Sequence, residues 1–543
     1  IHQFIYLRQV HYIRKFMCGI FTYIGNSLTW SDLEKNFNKI NYRGPDNSSV
    51  KKIGDNVLFS FHRLAIMGIS VKGNQPLSHP TDKNISLICN GEIYNYKILA
   101  KKYGFILETG SDCEIILHMY KKFGIKKTVE ALDGVFMLVL FDKNNNKLFA
   151  ARDPYGVRPG FIGYSNEGVF LASEAKSLTS LCDKLTPFKP GNIWEYRTNK
   201  FDQFYFHKPY SLKNIPESDI IEGIKKRLSD AVEKRMMADR EVGSLLSGGL
   251  DSSLISALVN KFSNKKLKTF SVGMPNSIDL RYANIVAEHL KTDHYNIEIS
   301  TEVFLESIEE VIYKIESFDT TTVRASVGNF LVSKFIRENS ECKVIFNGDG
   351  SDEVCGGYLY MRDAPNPKAF QKECEKLVSE LYFFDVLRSD RSISSNGLEP
   401  RTPFLDKEFV KYYLSIPPEK KLFDGHKIIE KGLLRKAFDN VGLLPESILW
   451  RRKCAFSDGV SEITNSWHHK IQDFVESKIS DSEFINESRR IIHCTPLTKE
   501  SYYYRKIYNS FFNNREHLIP HFWMPNWSDA KDPSARELKN YIE

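Results

Sequence analysis

Residues 247–253 read SGGLDSS and carry the residue types that bind phosphate. The stretch lies between an apolar run at residues 242–246 and a helix-like run at residues 254–262. Paired glycines let backbone N–H groups approach an anion closely, and the start of a helix adds unpaired N–H donors. Asp251 supplies a carboxylate of the kind that holds Mg²⁺ against phosphates. The stretch therefore predicts a phosphate-binding loop, although no lysine follows the glycines as it does in the GxxxxGK[ST] loop.

Cys18 forms a second pattern that could do chemistry, because it follows Met17 in the sequence MCGIF. Removal of Met17 would place a thiol and a free α-amine on one residue. Such an amine has a pKa of about 7.7–8.0, so it can act as the base of its own thiol. The pattern predicts an N-terminal nucleophile at Cys18.

Residues 1–16 stand apart from this pattern. They include Arg8, Arg14 and Lys15 but no acid, and they lack the small-residue cleavage site of a secretory signal. We interpret them as an extension from cloning or from a misassigned reading frame, with a removable leader as the alternative. If they stay attached, Cys18 has an amide in place of the free amine and loses its base.

The two patterns lie in regions whose predicted elements differ. Residues 17–206 contain many short, strand-like runs separated by turn signals, which favours packed antiparallel sheets. After residue 216, helix-like segments alternate with short apolar runs. The helix-like segments are residues 218–238, 252–262 and 280–290, and the apolar runs are residues 242–246 and 267–273. That alternation predicts a parallel sheet wrapped by helices, with the phosphate loop at the carboxyl end of one strand.

The domain division follows from these regions. We predict an extension at residues 1–16, a first domain at 17–206, a linker at 207–216 and a second domain at 217–543. Pro209 and Pro216 with their polar neighbours mark the linker.

The composition excludes several classes of protein. The net charge of +7, from 75 basic and 68 acidic residues in 543, is weak, and no block of like charges implies nucleic-acid binding. The longest uninterrupted apolar run in the body of the chain, residues 135–141, is too short to span a membrane. Nine scattered cysteines, without a CxxC pair, fit reduced thiols in the cytoplasm.

MCGIF and five further motifs resemble, in kind and order, the class II glutamine amidotransferases. The five are RGPD at 43–46, FHRLAI at 61–66, NQPL at 74–77, NGEIYN at 90–95 and TGSDCE at 109–114. The resemblance implies that Cys18 forms a thioester with glutamine, while the Asn90 side chain and the Gly91 N–H stabilise the oxyanion. It also implies that Arg63 pairs with the α-carboxylate of glutamine and Asp112 with its α-ammonium group. The other implied pocket residues are Leu64, Ala65, Ile66, Met67 and Glu92.

The SGGLDSS stretch resembles the pyrophosphate loop of the ATP pyrophosphatase superfamily, whose members adenylylate a carboxylate or a carbonyl oxygen. In a second acidic string, NGDGSDE at 347–353, Asp352 is expected to join Asp251 in holding Mg²⁺. Lys453, in WRRKCAFSDG at 450–459, is expected on the α-phosphate, and Lys427 is a weaker candidate for an ATP contact. The implied ATP contacts are Leu245, Ser247, Gly248, Gly249, Asp251, Ser252, Val272, Asn347 and Gly348.

Two further stretches are expected to bind the acid that is adenylylated. Residues 320–326 (TTTVRAS) resemble a substrate loop, and residues 384–388 (FDVLR) follow later in the chain. The implied contacts are Thr321, Thr322, Arg324 and Arg388.

From Met17 to about Arg536, the chain resembles the glutamine-hydrolysing asparagine synthetases. The resemblance implies that L-aspartate and ATP, with Mg²⁺, form β-aspartyl-AMP, and that ammonia from L-glutamine converts it to L-asparagine; it also suggests a homodimer. One departure concerns the family's SGEG string, which is NGDG here. Asp349 is one methylene shorter than the glutamate implicated in intermediate formation and ammonia deprotonation, so we predict reduced synthetase turnover.

Three alternatives stay open on the sequence alone. A β-lactam synthetase uses the same two-domain frame but lacks the nucleophilic cysteine. A non-enzymatic regulator is disfavoured because Cys18, Asn90, Asp251, Asp352 and Lys453 are all retained. ATP-dependent sulfur transfer is disfavoured because no paired-thiol motif accompanies the phosphate loop.

Overall fold

The computed structural model describes residues 18–207, 212, 214–425, 427–454, 456–462 and 465–538. The predicted extension at residues 1–16 lies outside these residues, as do residues 208–211 and 213 of the predicted linker. Within the described residues, the strands of the first half end at Gln203 and the first helix of the second half begins at Glu217.

The strands form three sheets in the described part of the chain. They are β1 (Gly19–Ile24), β2 (Asn47–Gly54), β3 (Val57–Arg63), β4 (Leu77–His79), β5 (Asp82–Ile93), β6 (Gly134–Asp142), β7 (Lys147–Arg152), β8 (Phe161–Ser165), β9 (Gly168–Ala172), β10 (Lys184–Pro187), β11 (Asn192–Glu195), β12 (Lys200–Gln203), β13 (Glu241–Leu245), β14 (Lys268–Gly273), β15 (Asp293–Glu298), β16 (Cys342–Phe346) and β17 (Glu399–Arg401).

Two of the sheets have six strands each, in the orders β10-β8-β9-β1-β3-β2 and β12-β11-β7-β6-β5-β4. All their pairings are antiparallel. The third sheet has the order β15-β14-β13-β16-β17, and every pairing in it is parallel. The predicted sandwich of antiparallel sheets and the predicted parallel sheet are both confirmed.

Helices flank the sandwich and wrap the parallel sheet. They are α1 (Trp30–Asn38), α2 (Tyr96–Tyr103), α3 (Glu114–Ala131), α4 (Glu217–Lys234), α5 (Leu250–Phe262), α6 (Ile278–Leu290), α7 (Thr301–Glu306), α8 (Ile308–Ile315), α9 (Thr320–Asn339), α10 (Ser351–Cys355), α11 (Pro367–Glu380), α12 (Asp385–Ser394), α13 (Lys407–Ser415), α14 (Gly432–Ala437), α15 (Glu446–Leu449), α16 (Phe456–Gly459), α17 (Trp467–Glu476), α18 (Asp481–Ser488) and α19 (Lys499–Phe512).

The core of the sandwich lies between its two sheets. Phe61 and Leu171 of the first sheet pack with Ile88 and Val139 of the second. Strand β6 is buried along its whole length, because the first sheet covers one face and α3 lies over the other. A strand covered on both faces has no polar alternation, which is why residues 135–141 form a continuous apolar run.

The predicted loop at residues 320–326 is wrong, because these residues form the first turns of α9. The Asp319 carboxylate accepts hydrogen bonds from the Thr322 N–H at 2.9 Å and the Thr322 hydroxyl at 2.7 Å. Such a cap satisfies N–H groups that a helix start leaves unpaired. The cap and the burial of α9 outweigh the weak helix propensity of three successive threonines.

Buried ion pairs join the sandwich to the parallel-sheet half. Arg43 pairs with Asp390 at 2.9 Å, and Arg158 pairs with Glu399 at 3.2 Å. Among the described residues, no helix has both the length and the apolar character that a membrane crossing requires.

Candidate active sites

Cys18 lies directly before β1 and faces the chain that leaves β3. The Leu64 N–H donates to Sγ of Cys18 at 3.3 Å, and the thiol donates to the Leu64 carbonyl at the same distance. Burial raises the pKa of the Cys18 thiol to about 12. The thiol is therefore protonated in this state and needs a base beside it to become a nucleophile.

The segment from Leu64 to Gly68 forms one wall beside Cys18, and Arg63 holds it in shape. The Arg63 guanidinium donates to the carbonyl of Gly68 at 2.5 Å and to Oδ1 of Asn74 at 2.7 Å. The second half of the chain also supports the segment, since Oδ2 of Asp239 accepts the Gly68 N–H at 2.8 Å. The other predicted residues of this segment also accept hydrogen bonds. The Ala65 carbonyl accepts from Nε of Arg240, and the Ile66 carbonyl accepts from the Asp239 N–H. The Met67 carbonyl accepts from Arg63.

Asn90 and Gly91 lie near the carboxyl end of β5, where the oxyanion donors were predicted. Nδ2 of Asn90 is buried and has no hydrogen-bond partner within the described residues. A side chain at Gly91 would clash with the carbonyl oxygen of Val135 on β6. Only glycine fits that register position, and the polar Asn90 side chain remains available to a ligand.

Two buried carboxyls, Glu92 on β5 and Asp112 before α3, repel each other electrostatically. Oδ2 of Asp112 accepts the Ile93 N–H at 2.6 Å. Burial raises the pKa of Asp112 to about 6, against the hydrogen bond from Ile93. Burial also raises the pKa of Glu92 well above its ordinary value, with further repulsion from Glu399 and Asp112. A nearby cation, such as the α-ammonium group of an amino acid, would stabilise the ionised form of both carboxyls.

The second candidate site is a cavity at the carboxyl ends of β13, β14 and β16. The predicted ATP contacts that line it are Leu245, Ser247, Gly249, Asp251, Ser252, Val272, Asn347 and Gly348. Gly248 does not line the cavity but packs against α6. Its φ is +72°, and a side chain there would clash with the backbone of Tyr282 and Ala283. Gly249 caps the start of α5, so N–H groups at the helix start face the cavity.

Asp251 and Asp352 converge on one cation, the ammonium group of Lys431. Nζ of Lys431 lies 2.5 Å from Oδ2 of Asp251 and 2.6 Å from Oδ1 of Asp352. Lys453 pairs with the other oxygen of Asp352. These two lysines hold the pKa of the Asp352 carboxyl well below its usual range, against the effect of burial. No group of three His, Cys, Asp or Glu side chains in the described part of the chain suits a metal ion, so the metal prediction rests on this carboxylate pair.

Asp349 lies on the same rim and is bound by Arg388. The Arg388 guanidinium donates to Oδ1 of Asp349 at 2.8 Å and also to Asp385. Burial raises the pKa of Asp349, and the charge of Arg388 opposes that shift. Asp385 in turn accepts the Gly350 N–H at 2.9 Å. Helix α12 therefore fixes the loop that carries Asp349.

The residues predicted to bind aspartate are only partly brought together. Thr321, Arg324 and Arg388 line the cavity, whereas Thr322 is occupied as part of the α9 cap. Arg324 is buried, and its guanidinium binds Glu500 and Asp532, each at 2.6 Å from Nη2. The charge of Arg324 is thus already matched by two carboxylates.

Sequence reasoning missed several residues of these sites. Lys431 belongs to no recognised motif, and Lys427, which was the weaker candidate for an ATP contact, is exposed. Arg451 stood beside Lys453 in a quoted motif; its guanidinium lies 3.8 Å from the Tyr282 ring centre and donates to the Gly248 carbonyl at 2.9 Å. Arg451 was detectable as one of three basic residues in the same motif, but nothing in the sequence distinguished Lys431.

Comparison with known proteins finds matches to both halves of the chain. A family model for a glutamine amidotransferase domain matches residues 17–220, and a model for asparagine synthase matches residues 223–373 and 362–532. The asparagine synthetase [glutamine-hydrolyzing] of Gallus gallus is 41% identical over 558 residues, covering 97% of this chain and 99% of its own. Those of Rattus norvegicus and Homo sapiens are 43% and 42% identical, with the same coverage. The chain belongs to the glutamine-hydrolysing asparagine synthetase family.

Proposed function

We propose that this protein makes L-asparagine from L-aspartate, ATP and L-glutamine, and releases AMP, pyrophosphate and L-glutamate. The observation that carries the proposal is the presence of both sites in one chain. Cys18 and the unpartnered Asn90 amide lie in the sandwich with Glu92, whose charge acts on the Cys18 thiol, and the phosphate loop lies in the attached parallel-sheet half. The names of the full-length relatives support the same reaction.

In the sandwich half, the thiol of Cys18 attacks the amide carbon of glutamine. Its proton passes to the α-amine of the same residue, once that amine is free. The Asn90 amide, with the Gly91 N–H, stabilises the negative oxygen of the tetrahedral intermediate. Ammonia leaves as the thioester forms, and water then releases glutamate and restores the thiol.

In the other half, the side-chain carboxylate of aspartate attacks the α-phosphorus of ATP and displaces pyrophosphate. Leu245 and Val272 form an apolar seat for adenine, while the 247–252 loop and the start of α5 bind the phosphates. Lys453 offsets the charge that builds on the α-phosphate. Ammonia then attacks the acyl carbon, AMP leaves, and Asp349 accepts the proton that nitrogen loses.

The carboxylate pair Asp251 and Asp352 fits Mg²⁺. Both side chains already close on the single positive charge of Lys431, and Mg²⁺ commonly takes one or two carboxylates together with substrate phosphates. Such an ion would neutralise the β- and γ-phosphates and so favour departure of pyrophosphate. With the ion on the two carboxylates, the ammonium group of Lys431 would be free to bind a phosphate oxygen.

Aspartate binding is proposed at Thr321 and Arg388, which both line the cavity. Arg388 also pairs with two carboxylates, Asp349 and Asp385, but its side chain is 12% exposed at the cavity rim, whereas that of Arg324 is 4% exposed. Arg324, matched by Glu500 and Asp532, has the role of fixing the first turns of α9.

The remaining proposals follow the family resemblance. We place the enzyme in the cytoplasm and propose that it forms a homodimer. We expect no role for nucleic acid or a membrane. The domain division at residues 17–206 and 217–543 stays a prediction, supported by the switch from antiparallel to parallel pairing between β12 and β13.

The test is product formation from aspartate and Mg-ATP, with glutamine or ammonium as the nitrogen donor. The full chain and the chain begun at Met17 are compared. Asparagine and pyrophosphate from both donors in the shorter chain would support both sites. Activity with ammonium alone in the longer chain would show that residues 1–16 mask Cys18. Pyrophosphate without asparagine, or no pyrophosphate with either donor, would contradict the proposal.

A further inference from the structure

Arg401 is the last residue of β17, and its backbone and side chain serve different halves of the protein. Its carbonyl oxygen accepts the Asn347 N–H at 3.1 Å, at the start of the loop that borders the ATP cavity. Its side chain is fully buried and reaches the sandwich, where Nη2 lies 3.5 Å from Oε2 of Glu92. One residue of the parallel-sheet half therefore reaches Glu92, a carboxyl whose charge acts on the Cys18 thiol.

The guanidinium is held in place by three other bonds. Nε donates to Oε1 of Glu399 at 2.8 Å, and Nη1 donates to the carbonyls of Met237, at 2.7 Å, and Arg235. Nη2 has no hydrogen-bond partner in the part of the chain that the structure describes, and the same holds for Oε2 of Glu92. A buried donor and a buried acceptor thus face each other, slightly too far apart for a hydrogen bond.

Charged groups from several elements act on Glu92. Glu399 on β17 and Asp112 before α3 disfavour its charge, whereas Arg401 on β17 and Arg158 after β7 favour it. Cys18, Cys113 and Tyr96 also interact electrostatically with Glu92. In the absence of a ligand, burial and the two neighbouring carboxyls outweigh the arginines and raise the pKa of Glu92.

An amino acid bound beside Glu92 and Asp112 would change this balance of charges. Its α-ammonium group would stabilise the ionised forms of Glu92 and Asp112. An ionised Glu92 would then draw Nη2 of Arg401 into a charge-assisted hydrogen bond, which needs a movement of less than about 1 Å.

We propose that Arg401, supplied by the synthetase half, is a positioning residue of the glutamine site that closes on Glu92 and keeps this carboxylate ionised against the α-ammonium group. The inference rests on the proposed function, because it needs glutamine in the pocket. It adds that the glutamine site is incomplete without β17, the strand that also holds Asn347.

The test uses Arg401→Gln, which removes the charge, and Arg401→Lys, which keeps it. Glutamine-dependent and ammonium-dependent asparagine synthesis are measured from about pH 5.5 to about pH 8.5, on chains begun at Met17. Without the positive charge, Glu92 and Asp112 ionise at higher pH. We expect Arg401→Gln to raise the KM for glutamine about tenfold near neutral pH and to move the acid limb of its kcat/KM upward by about one pH unit. Arg401→Lys should restore much of this loss.

Arg235→Lys is the matched control. Arg235 is also a buried arginine beneath the Tyr94 ring, at 4.6 Å, but its guanidinium donates to Asp406 at 2.7 Å. Any loss of activity in Arg235→Lys should be the same with glutamine as with ammonium. The pH dependence of kcat/KM for glutamine should not change. If Arg401 has only a structural role, its variants should also lose activity equally with both nitrogen donors and keep the pH profile for glutamine. That result would overturn the proposal.

Glu399→Gln decides the matter if the Arg401 variants fail to fold. Its amide can still accept from Nε of Arg401, but the charge that disfavours ionisation of Glu92 and Asp112 is gone. The acid limb of kcat/KM for glutamine should therefore move to lower pH, opposite to the shift expected in Arg401→Gln. An unmoved limb in Glu399→Gln would overturn the proposal. A wild-type chain begun at Met17 that lacks glutamine-dependent activity would instead contradict the proposed function.

Discussion

Nη2 of Arg388 lies 2.8 Å from Oδ1 of Asp349, while Oδ2 of Asp349 is buried and without a hydrogen-bond partner among the described residues. One oxygen is thus fixed by α12, and the other is available at the cavity where ammonia would meet the acyl-adenylate. The reach of this carboxylate depends on a side chain that has one methylene fewer than glutamate.

Asp349→Glu is expected to raise synthetase turnover, with ammonium as well as with glutamine. The longer side chain extends the proton acceptor toward the acyl carbon, and a misplacement of about 1 Å can cost about 100-fold in rate. Steady-state asparagine formation measures the change, and Asp349→Asn serves as the control that keeps the shape but removes the acceptor. Equal or lower turnover in Asp349→Glu would show that Asp349 is already well placed.

Lys453→Met and Lys431→Met are each expected to lower aspartate-dependent pyrophosphate release about 100-fold or more, because both cations lie at the phosphate end of the cavity. Lys427→Met is the matched control, since Lys427 is exposed four residues before Lys431. Release is measured with saturating aspartate and Mg-ATP. Comparable losses in all three variants would contradict the assignment of Lys431 and Lys453.

Glutamine use is expected to fall as the pH drops through about 6. The folded-state pKa of Asp112 is raised to about 6 by burial, and only its ionised form attracts the α-ammonium group of glutamine. Glu92 adds a second carboxyl that titrates above its usual range. The KM for glutamine should therefore rise on the acid side, while the KM for ammonium, corrected for its own ionisation, should not follow the same curve. Asp112→Asn should raise the KM and weaken this dependence.

Glu174→Gln is expected to destabilise the protein by about 3 kcal/mol, because it leaves buried cations without their shared carboxylate. Glu174 binds Arg43 at 2.5 Å and also Lys176. These two cations hold the pKa of Glu174 well below its ordinary value of 4.5, against the effect of burial. Its charge therefore stabilises the fold above about pH 4.5, and this contribution is lost as the pH falls toward the depressed pKa.

Thermal unfolding near pH 7.5 and near pH 5 would measure the effect, with Glu167→Gln as the exposed control. The difference in melting temperature between wild type and Glu174→Gln should be large at both pH values. It should decrease only on stronger acidification. A variant as stable as Glu167→Gln would show that the buried cluster contributes little.

Local patterns allowed much of the fold to be predicted. The order of apolar run, glycine turn and helix around residue 247 corresponds to β13, a turn at Gly248 and Gly249, and α5. The resemblance to a substrate loop misled at residues 320–326, where a cap at Asp319 begins a buried helix. The helix predicted at 218–238 ends at Lys234, after which the chain turns into β13.

The parts of the sites that could not be predicted depend on contacts between distant residues. Arg43 and Asp390 are 347 positions apart, and Lys431 reaches Asp251 across 180. A single sequence contains no sign of such pairs, because a buried lysine or arginine has the same letter as an exposed one. Arg401 stands in the sequence LEPRTPFLD at residues 398–406, but its approach to Glu92 emerges only when β17 packs against the sandwich.

The most direct test of the central claim is asparagine formation by Cys18→Ala, compared with wild type, in chains begun at Met17. Each protein receives aspartate and Mg-ATP with either glutamine or ammonium. The account predicts that the variant loses synthesis from glutamine and keeps synthesis from ammonium, because the thiol serves only the sandwich half. Synthesis from glutamine at the wild-type rate in Cys18→Ala, or no synthesis from either donor in wild type, would contradict it.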